Sequence, residues 1–222
     1  MTRLAVSRLH HPVTVLGHGV RAGVWVQGCS LACPGCMSRD TWEARPETEA
    51  DVSAVLDWIR GLPGPLDGVT VSGGEPFEQP EALAELLHGI RELLDDGTSG
   101  QDNDADILVF SGLAWPRLRD GAGHSAALAS CDAIVAGPYV ARRNTGSPLR
   151  GSDNQRIVPL TPLGRERYGP LALAGYGERR LQLTSDGTDL RLIGIPHRAD
   201  LARLRDAAEA GGVTWEGTTW SA

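Results

Sequence analysis

The sequence contains no lysine, so all 21 of its basic side chains are arginines, and acidic residues outnumber them at 28. The formal net charge is −7, whereas general binders of nucleic acids or anionic membranes usually carry a basic excess. We therefore expect neither as a partner. No apolar run approaches the roughly 18 to 20 residues of a membrane span, and Met1–Leu9 carries no apolar core of a signal peptide. These absences predict a cytoplasmic protein.

Cysteine is also scarce, with four in 222 residues, and three of them fall within the segment GCSLACPGC. The fourth, Cys131, stands alone far downstream. A secreted disulfide framework would use an even number of cysteines in a smaller domain, so this pattern indicates another role. We expect Cys131 to be a small buried hydrophobic residue at the start of a strand.

Short β-branched runs alternate with amphipathic segments along the chain, which predicts alternating strands and helices. The strands are expected at Gly23–Gln27, Gly68–Val71, Ile107–Phe110 and Ala133–Ala136, and the helices within Glu49–Leu62, from Pro80 and after Trp115. This order is typical of parallel strands joined by right-handed crossovers, with functional loops at the carboxyl ends of the strands.

We expect a core domain over residues 1–159 and a C-terminal extension over residues 160–222 that packs on the core or completes it. The extension is predicted to contain strands at Leu181–Leu183 and Leu190–Ile195, a helix with Leu201 and Leu204, and a last strand near Val213–Trp215.

Cys29, Cys33 and Cys36 are spaced CxxxCxxC on a loop that directly follows a predicted strand. Three thiolates on so short a loop can converge on one face of an iron–sulfur cubane, and the flanking Gly28 and Gly35 let the backbone approach closely. One iron is then left open for a chelating substrate. A zinc site is the alternative, but zinc sites usually add a second ligand pair that this sequence lacks.

Two further predicted strands end in small or acidic residues. These are Ser72, Gly73, Gly74 and Glu75 after one strand, and Ser111 and Gly112 after another. Glycines expose backbone groups to a ligand, and a carboxylate favours an ammonium or sulfonium group. Taken alone, the first motif is more typical of an ordinary turn in which Pro76 starts the next helix, but its position after the three cysteines favours a binding role.

Together these motifs resemble the radical S-adenosylmethionine (SAM) enzymes, most closely the activating proteins of anaerobic ribonucleotide reductase and, more loosely, of pyruvate formate-lyase. Four segments carry the resemblance in the family order: GVWVQGCSLACPGCMSRDTW, VTVSGGEPF, ILVFSGL, and DAIVAGPYV with RGSDNQRI. The implied fold is α/β, a partial (β/α)6-type barrel with mostly parallel strands, the C-terminal α/β extension, and the cluster at the C-terminal rim.

The resemblance also implies cofactors, namely a [4Fe-4S] cluster held by Cys29, Cys33 and Cys36, and S-adenosyl-L-methionine. In that family, one electron from the cluster cleaves SAM to methionine and a 5′-deoxyadenosyl radical, which abstracts a hydrogen atom. No catalytic residue beyond the cluster ligands is implied. The residues expected to contact SAM are Gly35, Cys36, Met37, Ser72, Gly73, Gly74, Glu75, Ser111 and Gly112. The implied partners are a flavodoxin or ferredoxin as electron donor and a glycyl-radical protein.

The segment Arg142–Arg156 is rich in glycine, serine, proline and arginine, and we expect a long, partly mobile loop that helps to cover the site. The residues that match the family's RGSxNQR-like segment are Arg150, Asn154, Gln155 and Arg156.

Two departures from the activating proteins leave other functions open. The chain has LGHG where they show an acidic DGPG-like turn, and it continues well beyond RGSDNQRI. One alternative is a radical SAM enzyme that modifies a small molecule or peptide in biosynthesis. Another, from a different class, is a non-catalytic iron–sulfur protein for electron transfer or sensing.

Overall fold

The computed structural model describes residues 2–96, 105–185, 190–197, 199–214 and 217–218, which form a mixed α/β architecture. The strands are β1 Arg3–Val13, β2 Arg21–Val26, β3 Glu49–Asp51, β4 Gly68–Gly73, β5 Asp106–Ser111, β6 Ala133–Ala136, β7 Arg156–Pro159, β8 Leu181–Ser185 and β9 Leu190–Gly194. The α-helices are α1 Val52–Arg60, α2 Pro80–Asp95, α3 Trp115–Asp120, α4 His124–Ala129, α5 Pro162–Leu173 and α6 Asp200–Ala210.

Strands β2, β4, β5 and β6 form the parallel centre of a seven-stranded sheet whose order is β3-β1-β2-β4-β5-β6-β7. Almost all of their residues are buried, because parallel strands are covered on both faces and therefore consist of continuous apolar runs. The sequence prediction of these four strands is confirmed. Their carboxyl ends meet at one edge of the sheet, where the predicted functional loops begin.

Helices α1 and α2 pack together through the apolar stripes that predicted them. Leu83, Leu86 and Leu87 of α2 are completely buried in the main core. At 16 residues, α2 is the longest helix in the described ranges. A bilayer span needs more length and apolarity than any described helix offers.

Both edges of the sheet are antiparallel, whereas its centre is parallel. Strand β1 pairs antiparallel with β2 and β3, and β7 pairs antiparallel with β6. In the described residues the sheet stays open between its edge strands β3 and β7, so closure into a (β/α)6-type barrel is not confirmed. The central sheet nevertheless has the mixed, mostly parallel character that was predicted.

Beyond β7 the chain forms α5, a separate antiparallel hairpin of β8 and β9, and α6. The hairpin and α6 confirm the elements predicted for this part of the chain. The Gln182 side chain fastens the hairpin to the end of β1: its Oε1 accepts from the Thr14 N–H at 3.0 Å, and its Nε2 donates to the Pro12 carbonyl at 2.7 Å. The last predicted strand, Val213–Trp215, ends outside the described residues, and its first two residues lie in no strand.

Candidate active site

The cysteine loop leaves the sheet at the carboxyl end of β2 and is closed at its base by two backbone hydrogen bonds. The N–H of Gly28 donates to the Thr41 carbonyl at 2.8 Å, and the N–H of Cys29 donates to the Trp42 carbonyl at 3.0 Å. Gly28 has φ +97°, a conformation that favours glycine, at the bend where the chain leaves the strand. The loop is therefore a compact unit whose position is fixed by the central sheet.

Cys29, Cys33 and Cys36 are free cysteines of intermediate exposure, and all three line one cleft of about 1460 Å³. A tight turn joins the last two, because the Cys36 N–H donates to the Cys33 carbonyl at 3.0 Å. The Ser38 N–H in turn donates to the Cys36 sulfur at 3.4 Å. The spacing predicted from the sequence thus brings three thiols to one cavity.

Burial raises the pKa of the Cys29 and Cys33 thiols, and backbone N–H groups partly counter that effect. These N–H groups belong to Leu31 and Ala32 for Cys29, and include that of Tyr139 for Cys33. Without a metal the two thiols therefore favour the protonated form at neutral pH. Metal ligation would displace these protons, and the same N–H groups would then donate to metal-bound sulfurs.

The donor chemistry of the three cysteines fits an iron–sulfur cluster. In the described ranges no group of three or more histidine, cysteine, aspartate or glutamate side chains is placed to hold one metal ion. A cubane makes a different demand, since each thiolate binds its own iron and the sulfurs stay apart. Three thiols around a roomy cleft therefore fit a [4Fe-4S] cluster that keeps one iron without a protein ligand.

Cys131 does not line this cleft and lies two residues before the start of β6. Its side chain is 1% exposed in the main core, and its thiol donates to the Ala127 carbonyl at 3.2 Å. Burial raises the pKa of this thiol. Cys131 is thus a buried core residue, as predicted, and does not belong to the cysteine group of the cleft.

The end of β4 lies directly against the start of the cysteine loop. The N–H of Gly74 donates to the Val26 carbonyl, and the N–H of Glu75 donates to the Gly28 carbonyl, both at 2.8 Å. A Cβ atom at Gly74 would lie 2.1 Å from the Gly28 oxygen, so no larger residue fits without moving the backbone. The glycine pair therefore serves a close approach between β4 and the cysteine loop.

Glu75 is 1% exposed, and its carboxylate ties the end of β4 to the end of β5. It accepts from the Ser111 hydroxyl at 2.7 Å, the Gly112 N–H at 2.7 Å and the Phe77 N–H at 3.1 Å. Burial raises the pKa of Glu75, while these three hydrogen bonds oppose the rise. Its carboxylate is thus engaged by the protein itself, a role that the motif alone did not indicate.

Every residue predicted to contact SAM lines the same cleft as the cysteines. The set comprises Gly35, Cys36, Met37, Ser72, Gly73, Gly74, Glu75, Ser111 and Gly112. The ends of β4 and β5 and the cysteine loop supply them, so residues far apart in the sequence meet at one edge of the sheet. The parallel order of β2, β4 and β5 is what brings them together.

The segment Arg142–Arg156 is held by its own side chains. Gln155 Oε1 accepts from the N–H groups of Gly151 and Ser152 at 2.7 and 3.1 Å, and its Nε2 donates to the Gly137 carbonyl at 2.8 Å. Of the four residues that match the family segment, Gln155 lines the cleft and Arg156 is exposed. The other two bond to backbone carbonyls: the buried Arg150 donates to Ala174, and Asn154 donates to Pro138.

Sequence reasoning missed several parts of the cleft wall, and two of them come from outside the matched motifs. They are Ser7, Arg8 and His10 of β1, and β9 together with Ile195, Pro196 and His197 behind it. Neither segment carries a motif, and only the antiparallel pairing of β1 and the attachment of the hairpin place them here. Alternating polar residues in β1 were the one available signal, since they fit a strand with one solvated face.

Comparison with known proteins matches residues 15–158 to a family model described as "4Fe-4S single cluster domain". The anaerobic ribonucleoside-triphosphate reductase-activating protein of Enterobacteria phage T4 is 27% identical over 146 residues, 64% of this chain and 86% of that protein. The protein of the same name from Pasteurella multocida is 26% identical over 157 residues, 68% of this chain and 96% of the relative. The pyruvate formate-lyase-activating enzyme of Clostridium pasteurianum is 34% identical over 106 residues, 44% of each chain.

Proposed function

The chain belongs to the 4Fe-4S single cluster domain family, and we propose that it is a radical SAM enzyme that activates a glycyl-radical partner protein. The observation that carries this proposal is the convergence of three cysteines and two strand ends on one cleft. Relatives named as activating proteins support the choice of reaction. In this proposal residues 1–159 form the core that holds the cluster and SAM, residues 160–222 form an extension that completes the cleft wall, and the open sheet is part of an incomplete barrel.

Cys29, Cys33 and Cys36 would hold the cluster in this proposal. When bound and reduced by one electron, the cluster supplies the chemistry that cleaves SAM to methionine and a 5′-deoxyadenosyl radical, which takes a hydrogen atom from the substrate. A flavodoxin or ferredoxin would deliver the electron. The thiols require reducing surroundings, which agrees with a cytoplasmic location.

The strand ends would bind and orient SAM beside the open iron. Ser72, Gly73 and Gly74 line the cleft, and the two glycines carry no side chain that would keep a ligand away from their backbone. Ser111, the last residue of β5, and Gly112 after it are tied to the end of β4 by the Glu75 carboxylate. We propose that Glu75 acts as a positioning residue, since its oxygens bond to the protein.

Replacing Glu75 by glutamine tests this role. In either amide orientation the NH2 group faces a backbone N–H, of Gly112 or of Phe77, so at least one buried donor loses its acceptor, at a cost of about 1–3 kcal/mol. We expect the KM for SAM to rise about tenfold or more, with the visible absorbance of the cluster retained. Release of 5′-deoxyadenosine measured against SAM concentration checks this.

The matched control is Glu85→Gln on the exposed face of α2, which should behave as wild type. If Glu75→Gln leaves both the KM for SAM and the urea midpoint of unfolding unchanged, Glu75 is not a positioning residue.

The reaction itself is tested with anaerobically reconstituted protein, a strong reductant and SAM. We expect release of 5′-deoxyadenosine and methionine in equal amounts. Absence of both products from protein with a complete cluster would favour a non-catalytic iron–sulfur protein. A candidate glycyl-radical partner included in the mixture should then show the doublet of a glycyl radical in its electron paramagnetic resonance spectrum.

One observation favours a second candidate, a radical SAM enzyme that modifies a small molecule or peptide. Strand β9 lines the cleft, although it lies beyond residue 158, where the match to the family model ends. The extension thus narrows a space that would otherwise receive a protein loop. SAM cleavage without any glycyl radical on a partner would select this candidate.

A further inference from the structure

Arg179 lies in the extension, between α5 and β8, and all five N–H donors of its guanidinium group form hydrogen bonds. Nε and Nη2 both donate to the Ser147 carbonyl, at 3.1 and 3.0 Å, and Nη2 also donates to the Arg150 carbonyl. Nη1 donates to the Asn144 side-chain oxygen at 2.7 Å and to the Pro196 carbonyl at 3.1 Å. One side chain thus joins two parts of the chain that are far apart in the sequence.

The groups that Arg179 binds belong to two neighbouring parts of the cleft wall. Asn144 lies in the segment Arg142–Arg156 and Pro196 lies directly behind β9, and both line the cleft. Gln155 of the same segment lines it as well. Arg179 is not among the residues that line the cleft. It therefore connects the segment to the extension from behind the wall.

The contacts continue from Asn144 to the cysteine loop. Asn144 Nδ2 donates to the Pro196 carbonyl at 3.1 Å and to the Tyr139 hydroxyl at 3.4 Å. The Tyr139 ring lies beside the loop, since a Cβ atom at Gly35 would lie 3.4 Å from its Cε1 atom. The Tyr139 N–H lies against the Cys33 sulfur. A continuous series of contacts thus runs from the extension to the cysteine loop.

The guanidinium group suits this position because its planar fork serves several acceptors at once. Burial lowers the pKa of Arg179, and the nearby charges of Asp153 and Asp200 oppose that effect. An arginine stays charged at neutral pH, so its hydrogen bonds here are charge-assisted. Other hydrogen bonds join the segment to residues 174–177, which do not line the cleft. Arg179 thus ties the segment to the part of the extension that does line it.

We propose that Arg179 is a positioning residue that holds the segment Arg142–Arg156 against the extension and so keeps the cleft covered beside the cysteine loop. The inference deepens the proposed function and rests on it for its purpose, because the segment would shield from water the space in which the radical is formed. Arg179 and Pro196 both lie beyond residue 158, where the match to the family model ends. This fastening is therefore an addition to the part of the chain that matches the family.

Limited digestion with trypsin measures how often the segment opens. Trypsin cleaves after arginine, and the segment begins with the exposed Arg142 and Arg143. Arg60, exposed at the end of α1, is the internal reference in the same molecule. Cleavage of a folded protein follows the population of its locally open form. In full-length, cluster-containing Arg179→Gln we expect cleavage after Arg142 or Arg143, relative to Arg60, to be about tenfold faster than in wild type.

Two further variants make the comparison specific. Arg179→Lys keeps the charge, but its compact ammonium group replaces the planar fork by three donors on one atom, so its relative cleavage rate should lie between those of wild type and Arg179→Gln. Arg203→Gln on α6, where the side chain is 79% exposed, is the matched control and should be cleaved as wild type.

A second measurement follows the cleft itself. The visible absorbance of the cluster is recorded without SAM after EDTA is added. Because the protein shell around a metal site controls the access of solvent, an open segment should let the chelator reach the cluster. We expect the absorbance of Arg179→Gln to decay faster than that of wild type by the same factor as its cleavage, and that of Arg203→Gln to decay as wild type.

Equal relative cleavage in Arg179→Gln and wild type would overturn the proposal. Acceleration after Arg60 to the same extent would also overturn it, because the substitution would then destabilise the whole fold. An unchanged decay with EDTA would show that the segment does not cover the cluster, with the same consequence. The digestion needs neither SAM nor a working cluster, so its outcome is distinct from a failure of the proposed function.

Discussion

Replacing Cys33 by alanine is expected to remove the visible absorbance of the cluster and to reduce 5′-deoxyadenosine release to background. Cys33 is the central member of the group, joined to Cys36 by a tight turn and approached by the Tyr139 N–H. Two remaining thiolates leave two irons without a protein ligand, and a cubane held in this way is lost or degraded. The measurements are iron content, the visible spectrum and the SAM cleavage assay after anaerobic reconstitution.

Cys131→Ala is the matched control, because Cys131 lies in the core and away from the cleft. It should retain iron, spectrum and activity, with only the modest loss of stability that follows removal of one buried sulfur. A spectrum retained in Cys33→Ala but lost in Cys131→Ala would show that the ligand set has been assigned wrongly.

The second large effect is expected from Asp106→Asn at the opposite end of β5 from the cleft. The Asp106 and Arg21 side chains are both 0% exposed and form paired hydrogen bonds at 2.9 Å. Tyr168 donates to the same carboxylate at 2.6 Å, and Arg167 forms a second ion pair with it. The asparagine leaves Arg21 as a buried cation without its counter-charge, so we expect a loss of about 3–5 kcal/mol in the free energy of unfolding.

Urea unfolding followed by circular dichroism measures this loss. Asp120→Asn is the control, since Asp120 forms an exposed pair with Arg119 and should leave the midpoint unchanged. An unchanged midpoint in Asp106→Asn would contradict the structural role of the buried group.

The contribution of Asp106 to the free energy of unfolding depends on pH with a definite sign. Burial alone would raise the pKa of Asp106, but the Arg21 charge and the hydrogen bonds from Arg21, Tyr168 and Arg167 outweigh it and lower the pKa. The stabilisation is therefore fully present above the ordinary carboxyl pKa of about 3.9 and is lost as the pH falls through the lower folded value. Asp106→Asn should lack this part of the acid sensitivity.

The four central strands could be predicted because local sequence determines them. Each is a short apolar run buried on both faces, and each ends in residues that cannot continue a strand. Strand β1 was missed because arginines and histidines interrupt its apolar pattern, and β7 because four residues carry too little pattern. Helix α5 was missed because two prolines and two glycines hide its periodicity.

The sequence by itself determined the parts whose chemistry depends on neighbours along the chain: the spacing of three thiols, the glycines at the end of β4, and a core residue at Cys131. Only the tertiary structure decided which distant groups meet. Glu75 bonds to β5, and Arg8 and His10 share a cleft with Arg191, although no local pattern relates them. The reason is physical: turns and periodicity follow from short-range sterics, whereas the partners of a buried charge depend on strand order and on how the hairpin is attached.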